Sequence, residues 1–327
     1  MKLRFIVCYI PKHLFVGIDK LKGDGVIWIS ADVEGSYCVI KILSTLKDAE
    51  QIIDKLNQIY GGANFRIVVF EPTTTIPPIE EIEKEKIEEG KPERLSRQEM
   101  YNMMIELSKF SKEIFLMTIL SAIVASVGIW KDNVAIIIAS MVIAPLLGPN
   151  MALSFSITVA DLDLARKCIK TLLLEIFVVI LLAILLGYFN PVSLDSPQIH
   201  SRIFLGIWDI IALSAGIAGA LTVISEVSSA VVGVMIAIAL LPPLVVFGLL
   251  IGSGHFNESI PLLILFLINI IGINLSAILV FHAYGISPYR WWKREMAKKY
   301  TIFAMAIWFL LLVIMTLLII FKFYHFL

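Results

Sequence analysis

The sequence predicts an α-helical polytopic membrane protein with an inverted three-plus-three helix repeat and a seventh helix, preceded by a small N-terminal α/β ferredoxin-like cytoplasmic domain. Three observations predict it. Of 327 residues, 58% are hydrophobic and 17% charged, with a mean hydropathy of +0.88, outside the range of soluble chains. The apolar residues gather, after about residue 112, into seven stretches of spanning length. Within those stretches the sequence matches itself at an offset of 94 residues.

Residues 1–76 read as the head domain. "RFIVCYI", "GVIWISA", "YCVIKIL" and "FRIVVFE" are apolar, β-branched runs expected to form strands over 4–10, 25–31, 37–43 and 65–71. "DVEGS" between the second and third is a hairpin signal. Ile52, Ile53, Leu56 and Ile59 recur at helical spacing, and the glycines at 61–62 end that helix. A shorter helix is expected over 12–22, giving the order βαββαβ of a ferredoxin-like fold. That fold serves ligand binding and dimerisation alike and assigns neither. Pro11, Lys12 and His13 interrupt the first apolar run, so it does not read as a signal peptide, and the head is expected in the cytoplasm. Cys8, Cys38 and Cys168 lack metal or disulfide spacing and are expected to be reduced core thiols.

Residues 77–112 form a charged linker and an amphipathic helix. In "EEIEKEKIEEGKPER", Glu80 and Lys84 can pair across one helical turn. Ser96 and Glu99 make a capping box that opens the next helix. Tyr101, Met104, Ile105, Leu107 and Phe110 give that helix an apolar stripe, read as packing surface.

The membrane domain, 113–327, holds apolar stretches near 113–130, 134–160, 168–189, 203–224, 228–254, 259–283 and 301–324, each long enough to span a bilayer. With the head inside, the inner loops carry eight basic residues, among them Arg166, Lys167, Lys170 and Arg290, against Lys131, Arg202 and Lys322 outside. That satisfies the positive-inside rule and places the C-terminus outside the plasma membrane. Trp291 and Trp292 read as interfacial anchors.

Residues 119–187 align without gaps on 213–281, with 12 identities in 69 positions. "MVIAPLLGP" falls on "MIAIALLPP", and Pro149 on Pro243. Each copy holds three spans, an odd number, so the second copy enters the membrane from the opposite side. Both middle spans are 27 residues, about 40 Å as a straight helix against about 30 Å of hydrocarbon. Pro145, Gly148 and Pro149 in one copy, and Pro242 and Pro243 in the other, are expected to open a turn there. Freed backbone groups at that depth must be buried in protein or line a cavity, which points to a substrate site where the copies meet. A proline kink serving helix packing alone is the other reading.

Polar residues near the break extend the candidate site. Asn150 follows Pro149, with Ser154 and Ser156 beyond it. Glu175 interrupts the third span, and its repeat counterpart is Asn269. An intramembrane carboxylate is a functional candidate by default: Glu175 carries a proton, coordinates a cation, or forms an interfacial salt bridge with Lys170. Asp209 is equally open, Asp132 and Glu226 read as helix caps, and Asn269 and Asn274 as partners between helices. Ser121 with Ala125, and Ala215 with Gly219, are small-residue faces for close packing.

"IASMVIAPLLGPNMALSFSI", "ALSAGIAGAL" and "VVGVMIAIALLPPLVVFGLLIGSG" resemble the prokaryotic membrane family called domain of unknown function 389, the uncharacterised hydrophobic-domain proteins. The resemblance covers about 115–285 and implies a membrane protein that commonly carries a small N-terminal cytoplasmic domain. It implies no activity, and Asn150 stands where many members look apolar.

The expected function is a transporter or channel-like protein for a small solute or ion, with the head regulating or assembling it as a homo-oligomer. The alternative is a membrane receptor or scaffold whose head binds a small ligand without transport. No phosphate-binding loop, HExxH, GxSxG or paired-carboxylate motif occurs, so no enzyme, catalytic residue, cofactor or metal site is expected. The partners expected are the solute or ion, membrane lipid and a second copy, and not nucleic acid.

Overall fold

The computed structural model describes residues 3–18, 21, 25–61, 65–72, 95–203, 211–225, 229–286 and 291–324. The expected Glu80–Lys84 pair and the residues Asp209, Glu226 and Arg290 lie outside these, as do the side chains of Trp291 and Trp292. Two compact units divide the chain, Met1–Met100 and Tyr101–Leu327.

In the first unit β1 (Leu3–Pro11), β2 (Val26–Glu34) and β3 (Tyr37–Thr45) precede α1 (Leu46–Tyr60) and β4 (Arg66–Phe70). The strands form one antiparallel sheet in the order β2-β3-β1-β4. Alternate residues of β1 and β3, such as Ile6, Cys8, Ile40 and Ile42, are buried against Ile52 and Leu56 of α1, as period-two and helical spacing require. Thr45 caps α1, its hydroxyl accepting from the Asp48 amide at 3.2 Å. The β2–β3 turn needs Gly35, whose φ is +61°.

The expected helix over 12–22 is not formed by the described residues. A 3₁₀ turn covers Lys12–Leu14, after which Phe15 is extended and Gly17 takes φ +93°. That left-handed conformation cannot sit inside a right-handed helix. Cys8, Cys38 and Cys168 are buried free thiols, and burial pushes the Cys8 thiol up to about 12.

α2 (Arg97–Leu107) starts with the expected capping box. The Ser96 amide and hydroxyl donate to Glu99 at 3.0 and 2.7 Å, and the Glu99 amide donates to Ser96 Oγ at 3.3 Å. Glu99 also accepts from Arg4 Nε at 2.7 Å. Arg4 is only 2% exposed, so this carboxylate neutralises a buried cation as well as capping a helix.

The second unit is helical. α3 (Lys112–Trp130), α4 (Val134–Ile143), α5 (Leu147–Thr158) and α6 (Leu162–Phe189) are followed by the short α7 (Pro197–Ile203). Then come α8 (Ile211–Ser225), α9 (Ser229–Gly252), α10 (Phe256–Ala283) and α11 (Trp291–Tyr324). Among the described residues, α3, α6 and α10 are long and apolar enough to cross a membrane, and α4 with α5 makes a fourth span if the bent pair counts as one. Residues 212–225, 239–252 and 301–314 are shorter apolar helical stretches. Together these describe a membrane protein.

Element boundaries follow the 94-residue offset. α6 and α10 coincide at both ends, and α5 and α9 end at equivalent residues. The turns after them match bond for bond. Val159 and Ser253 amides donate four residues back at 2.9 Å, Ala160 and Gly254 three back at 3.1 Å, and Asp161 and His255 five back at 2.8 Å. Ala160 and Gly254 both have positive φ, +53° and +86°.

Helices from the two halves pack side by side in the same direction. A Cβ on Gly248 of α9 would meet Ile180, Ala183 and Ile184 of α6, and one on Gly252 would meet Ile184, Gly187 and Tyr188. Residue numbers rise together along the two helices, so they run parallel. In α5 and α10, Ser154 meets Asn274, and the Phe155 ring meets Phe281 edge-on at 5.8 Å.

Ser121, Ala125, Ala215 and Gly219 are all buried, and Gly216 lets α8 approach the Ile273 carbonyl and Ser276 of α10. These approaches carry a prediction. Gly187→Val, whose Cβ would run into the Leu249 backbone, should lower the thermal unfolding midpoint by the equivalent of about 1–3 kcal/mol. Gly272→Ala, where a Cβ meets its nearest neighbour at 3.4 Å, should leave the midpoint within about 1 kcal/mol in the same measurement.

Candidate functional site

The expected break in the second span is present. α4 and α5 meet at 53° across residues 144–146. A proline drives the residue before it out of the helical region, and Ala144 has φ −66°, ψ 125°. Pro149 falls in the first turn of α5, where a missing N–H costs least. Pro145 is half-buried, and Gly148, Pro149 and Asn150 are buried.

Asn150 bonds back onto the residue that opens α5. Its Nδ2 donates to the Leu146 carbonyl at 2.8 Å, and its Oδ1 accepts from Asn274 Nδ2 at 3.1 Å. Asn274 Nδ2 also donates to the Ile270 carbonyl, and Ser154 Oγ donates to Asn274 Oδ1 at 2.8 Å. All three side chains are fully buried. The cluster joins α5 to α10 with its side chains hydrogen-bonded, the condition under which buried polar groups specify a packing rather than weaken it. Ser156 turns instead onto its own helix, donating to the Leu153 carbonyl.

The second expected break does not occur. α9 is helical from Ser229 to Gly252 with Pro242 and Pro243 inside it, both buried. Pro243 cannot donate to the Ala239 carbonyl, but Asn269 Nδ2 of α10 does so at 2.7 Å. A side-chain amide replaces the lost backbone donor, and the helix continues. Pro145, which opens the first break, falls on Ala239 in the repeat, so the two copies were never equivalent at that position.

Glu175 differs from the hydrogen-bonded cluster of Asn150, Ser154 and Asn274. It sits at the middle of the 28-residue α6, fully buried, and neither carboxylate oxygen has a hydrogen-bond partner. The salt bridge considered with Lys170 is not formed: Lys170 is exposed, and Glu175 lies on the buried stripe with Thr171, Val179 and Ala183. Among the described residues, the other buried side-chain orphan within the expected spans is Asn269 Oδ1. Glu175 and Asn269 are repeat equivalents.

Three contacts that sequence reasoning missed surround this region. A Cβ on Gly148 would lie 3.1 Å from the Leu107 side chain, at the end of α2. Thr171 Oγ1 donates to the Ser108 carbonyl at 2.8 Å. Tyr101 donates to Asp161 Oδ2 at 2.7 Å while Asp161 Oδ1 accepts from the Leu164 amide and caps α6. That hydrogen bond, with burial, pushes the Tyr101 hydroxyl up to about 12. The N-cap aspartate ahead of "LDLARK" was a readable signal; its tyrosine partner, 60 residues away, was not.

Asp132, read as a cap, holds a loop instead: it accepts from the Ser196 hydroxyl, while Asn133 caps α4.

The Asn269 repair is testable by a double-mutant cycle. Asn269→Ala should cost about 1–3 kcal/mol by leaving the Ala239 carbonyl unpaired. In a Pro243→Ala background, where the backbone donor returns, the same change should cost less than half as much. Unfolding midpoints of the four proteins measure it, and equal costs in both backgrounds would contradict the repair.

A model of the family described as a domain of unknown function (DUF389) matches residues 141–275, the stretch from the broken span through the buried cluster. An uncharacterized protein of Methanocaldococcus jannaschii is 62% identical over 323 residues, covering 98% of this chain and 100% of its own length. No solved structure matches. With that likeness spanning head and membrane unit alike, the chain belongs to the DUF389 family.

Proposed function

We propose that the protein is a membrane transporter or channel-like protein for a small solute or ion, with its site at the α4–α5 break and Glu175. This replaces a site between two broken helices, because among the described residues the α4–α5 pair is broken while α9 is continuous. The observation that carries the reading is an unpartnered carboxylate in the middle of an apolar helix that packs against the broken span's second half. Such a group is costly unless a ligand or a water-filled path meets it. Open backbone at spanning depth carries the same requirement.

The coincident boundaries and the parallel packing of α6 with α9 support an inverted arrangement. α5 and α6 form a hairpin, so a second-copy middle helix parallel to α6 runs against its first-copy counterpart. In this reading the head is cytoplasmic, α3 leaves the cytoplasm and the C-terminus lies outside. The head assembles or regulates the membrane unit, and copies of the chain associate.

A receptor without transport is the second reading, and Leu107 and Ser108 favour it: the end of α2 rests against Gly148 and Thr171, where a signal could enter. Flux separates the two. Purified protein in proteoliposomes should conduct a small ion or solute, and Pro145→Ala, which restores a backbone donor and frees Ala144 to be helical, should reduce that flux by an order of magnitude. Saturable ligand binding with no flux across a panel of ions and solutes would favour the receptor.

A further inference from the structure

The sheet of the head has two faces, and α1 packs on one of them. Ile6, Cys8, Ile40 and Ile42, with Ile29 and Ile67 beside them, turn to that side. Alternation sends the residues between them to the other side, and the strand register sorts those into rows across β2, β3, β1 and β4. One row is Trp28, Leu43, Phe5 and Phe70; the next is Ser30, Lys41, Val7 and Val68; the third is Asp32, Val39, Tyr9 and Arg66. Trp28 is 49% exposed and Phe70 52%, so the first row ends at both sheet edges in an aromatic ring left to water, the mark of an interaction surface. The start of α2 stays on the α1 side: Arg97 pairs with Glu50 of α1, and Glu99 with Arg4, which alternates in register with Ile6. The third row is acidic at its β2 end and basic at its β4 end. Asp32 accepts from Lys41 at 2.8 Å, while Arg66 is exposed and has no ion-pair partner among the described residues. Neighbouring strands lie about 4.8 Å apart, so Asp32 and Arg66 stand about 14 Å from each other in one sheet and do not pair there.

We infer that this face docks on the same face of a second copy of the chain, about a two-fold axis that runs parallel to the strands between β1 and β3. That operation lays β2 of one copy over β4 of the other. Asp32 then faces Arg66 at both ends of the contact, Trp28 covers Phe70, and Leu43 covers Phe5, a closed and self-complementary pairing. A two-fold axis across the strands, centred on the middle row, does the opposite. It lays the charged row on the aromatic row, where the charges lose water and gain no partner. The docking rests on the reading above that copies of the chain associate, and gives that association its surface in the head. In outline the three rows cover about 20 by 20 Å, roughly half of the ~800 Å² that each partner gives to a standard interface. The heads therefore pair as parts of copies already held in one membrane, where tethering raises their effective concentration.

The test uses the full-length chain, expressed as two differently tagged copies and taken up in mild detergent, with light scattering reporting the number of chains per particle. Asp32→Arg in one copy and Arg66→Asp in the other make each variant repel its own kind and attract the other at both ends of the contact. Capture through one tag then recovers the opposite variant several-fold better than either variant recovers itself. A second pair of variants leaves the charges alone: Ser30→Cys in one copy and Val68→Cys in the other are joined by a bismaleimide of about 10 Å reach, the spacing of stacked sheets. Capture indifferent to the charge combination, or a missing crosslink, overturns this face; if the particles still hold two or more chains, the association reading stands without it. Particles of one chain in every form overturn both. A crosslink formed within one chain between Ser30→Cys and Ile79→Cys makes residues 73–94 the occupant and overturns the second copy.

Discussion

Every backbone polar group inside an apolar slab needs a partner, and the membrane unit is arranged around the places where proline removes one. A regular helix meets the requirement internally, so most of α3, α6 and α10 needs nothing beyond apolar side chains. Pro145, Pro149, Pro242 and Pro243 each delete a donor. The protein answers in two ways. In α9 a side chain from the neighbouring helix substitutes for the missing N–H, and the helix stays continuous. In the first copy the chain bends, and Asn150 bonds the carbonyl of Leu146 beside the bend.

This asymmetry explains why related sequences in the two copies give different structures. At equivalent positions, Ser154 and Asn274 form a polar α5–α10 contact, while Gly248 and Ile180 form a close apolar α6–α9 contact. The same interface is glued by hydrogen bonds on one side and by backbone proximity on the other. Proximity needs residues without side chains, which is why Gly187, Gly248 and Gly252 cluster at the α6–α9 crossing. Hydrogen-bonded contacts instead need complete sets of partners, and among the described residues the Glu175 carboxylate is left outside any set.

Much of this was legible because it depends on local rules. Alternation in "YCVIKIL", the Ser96–Glu99 spacing and the Ala-Pro dipeptide at 144–145 act over a few residues, and the strands, the capping box and the bend formed where they predict. The helix over 12–22 failed for an equally local reason, the left-handed Gly17. What could not be read was the partner of each polar group. Pro242 and Pro243 break a helix by propensity alone; that Asn269 lies within reach of the Ala239 carbonyl is a fact of packing. Placing Glu175 near an interface likewise followed from starting its span at 168, whereas Asp161 caps a helix that begins at Leu162 and makes Glu175 central. The alignment of the sequence on itself rests on 12 identities, and the matched turns at 159–161 and 253–255 could not be read from it, since Ala160 and Gly254 share a conformation and no side chain.

The opposed orientation proposed for the two aligned segments, 119–187 and 213–281, is open to a direct measurement. Asp163 and Asn257 are exposed repeat equivalents in the first turns of α6 and α10. Single cysteines there, in a background lacking Cys8, Cys38 and Cys168, can be labelled with a membrane-impermeant thiol reagent in sealed vesicles of known orientation. Labelling of the two positions from opposite faces of the membrane is the predicted result; labelling of both from the same face would contradict it.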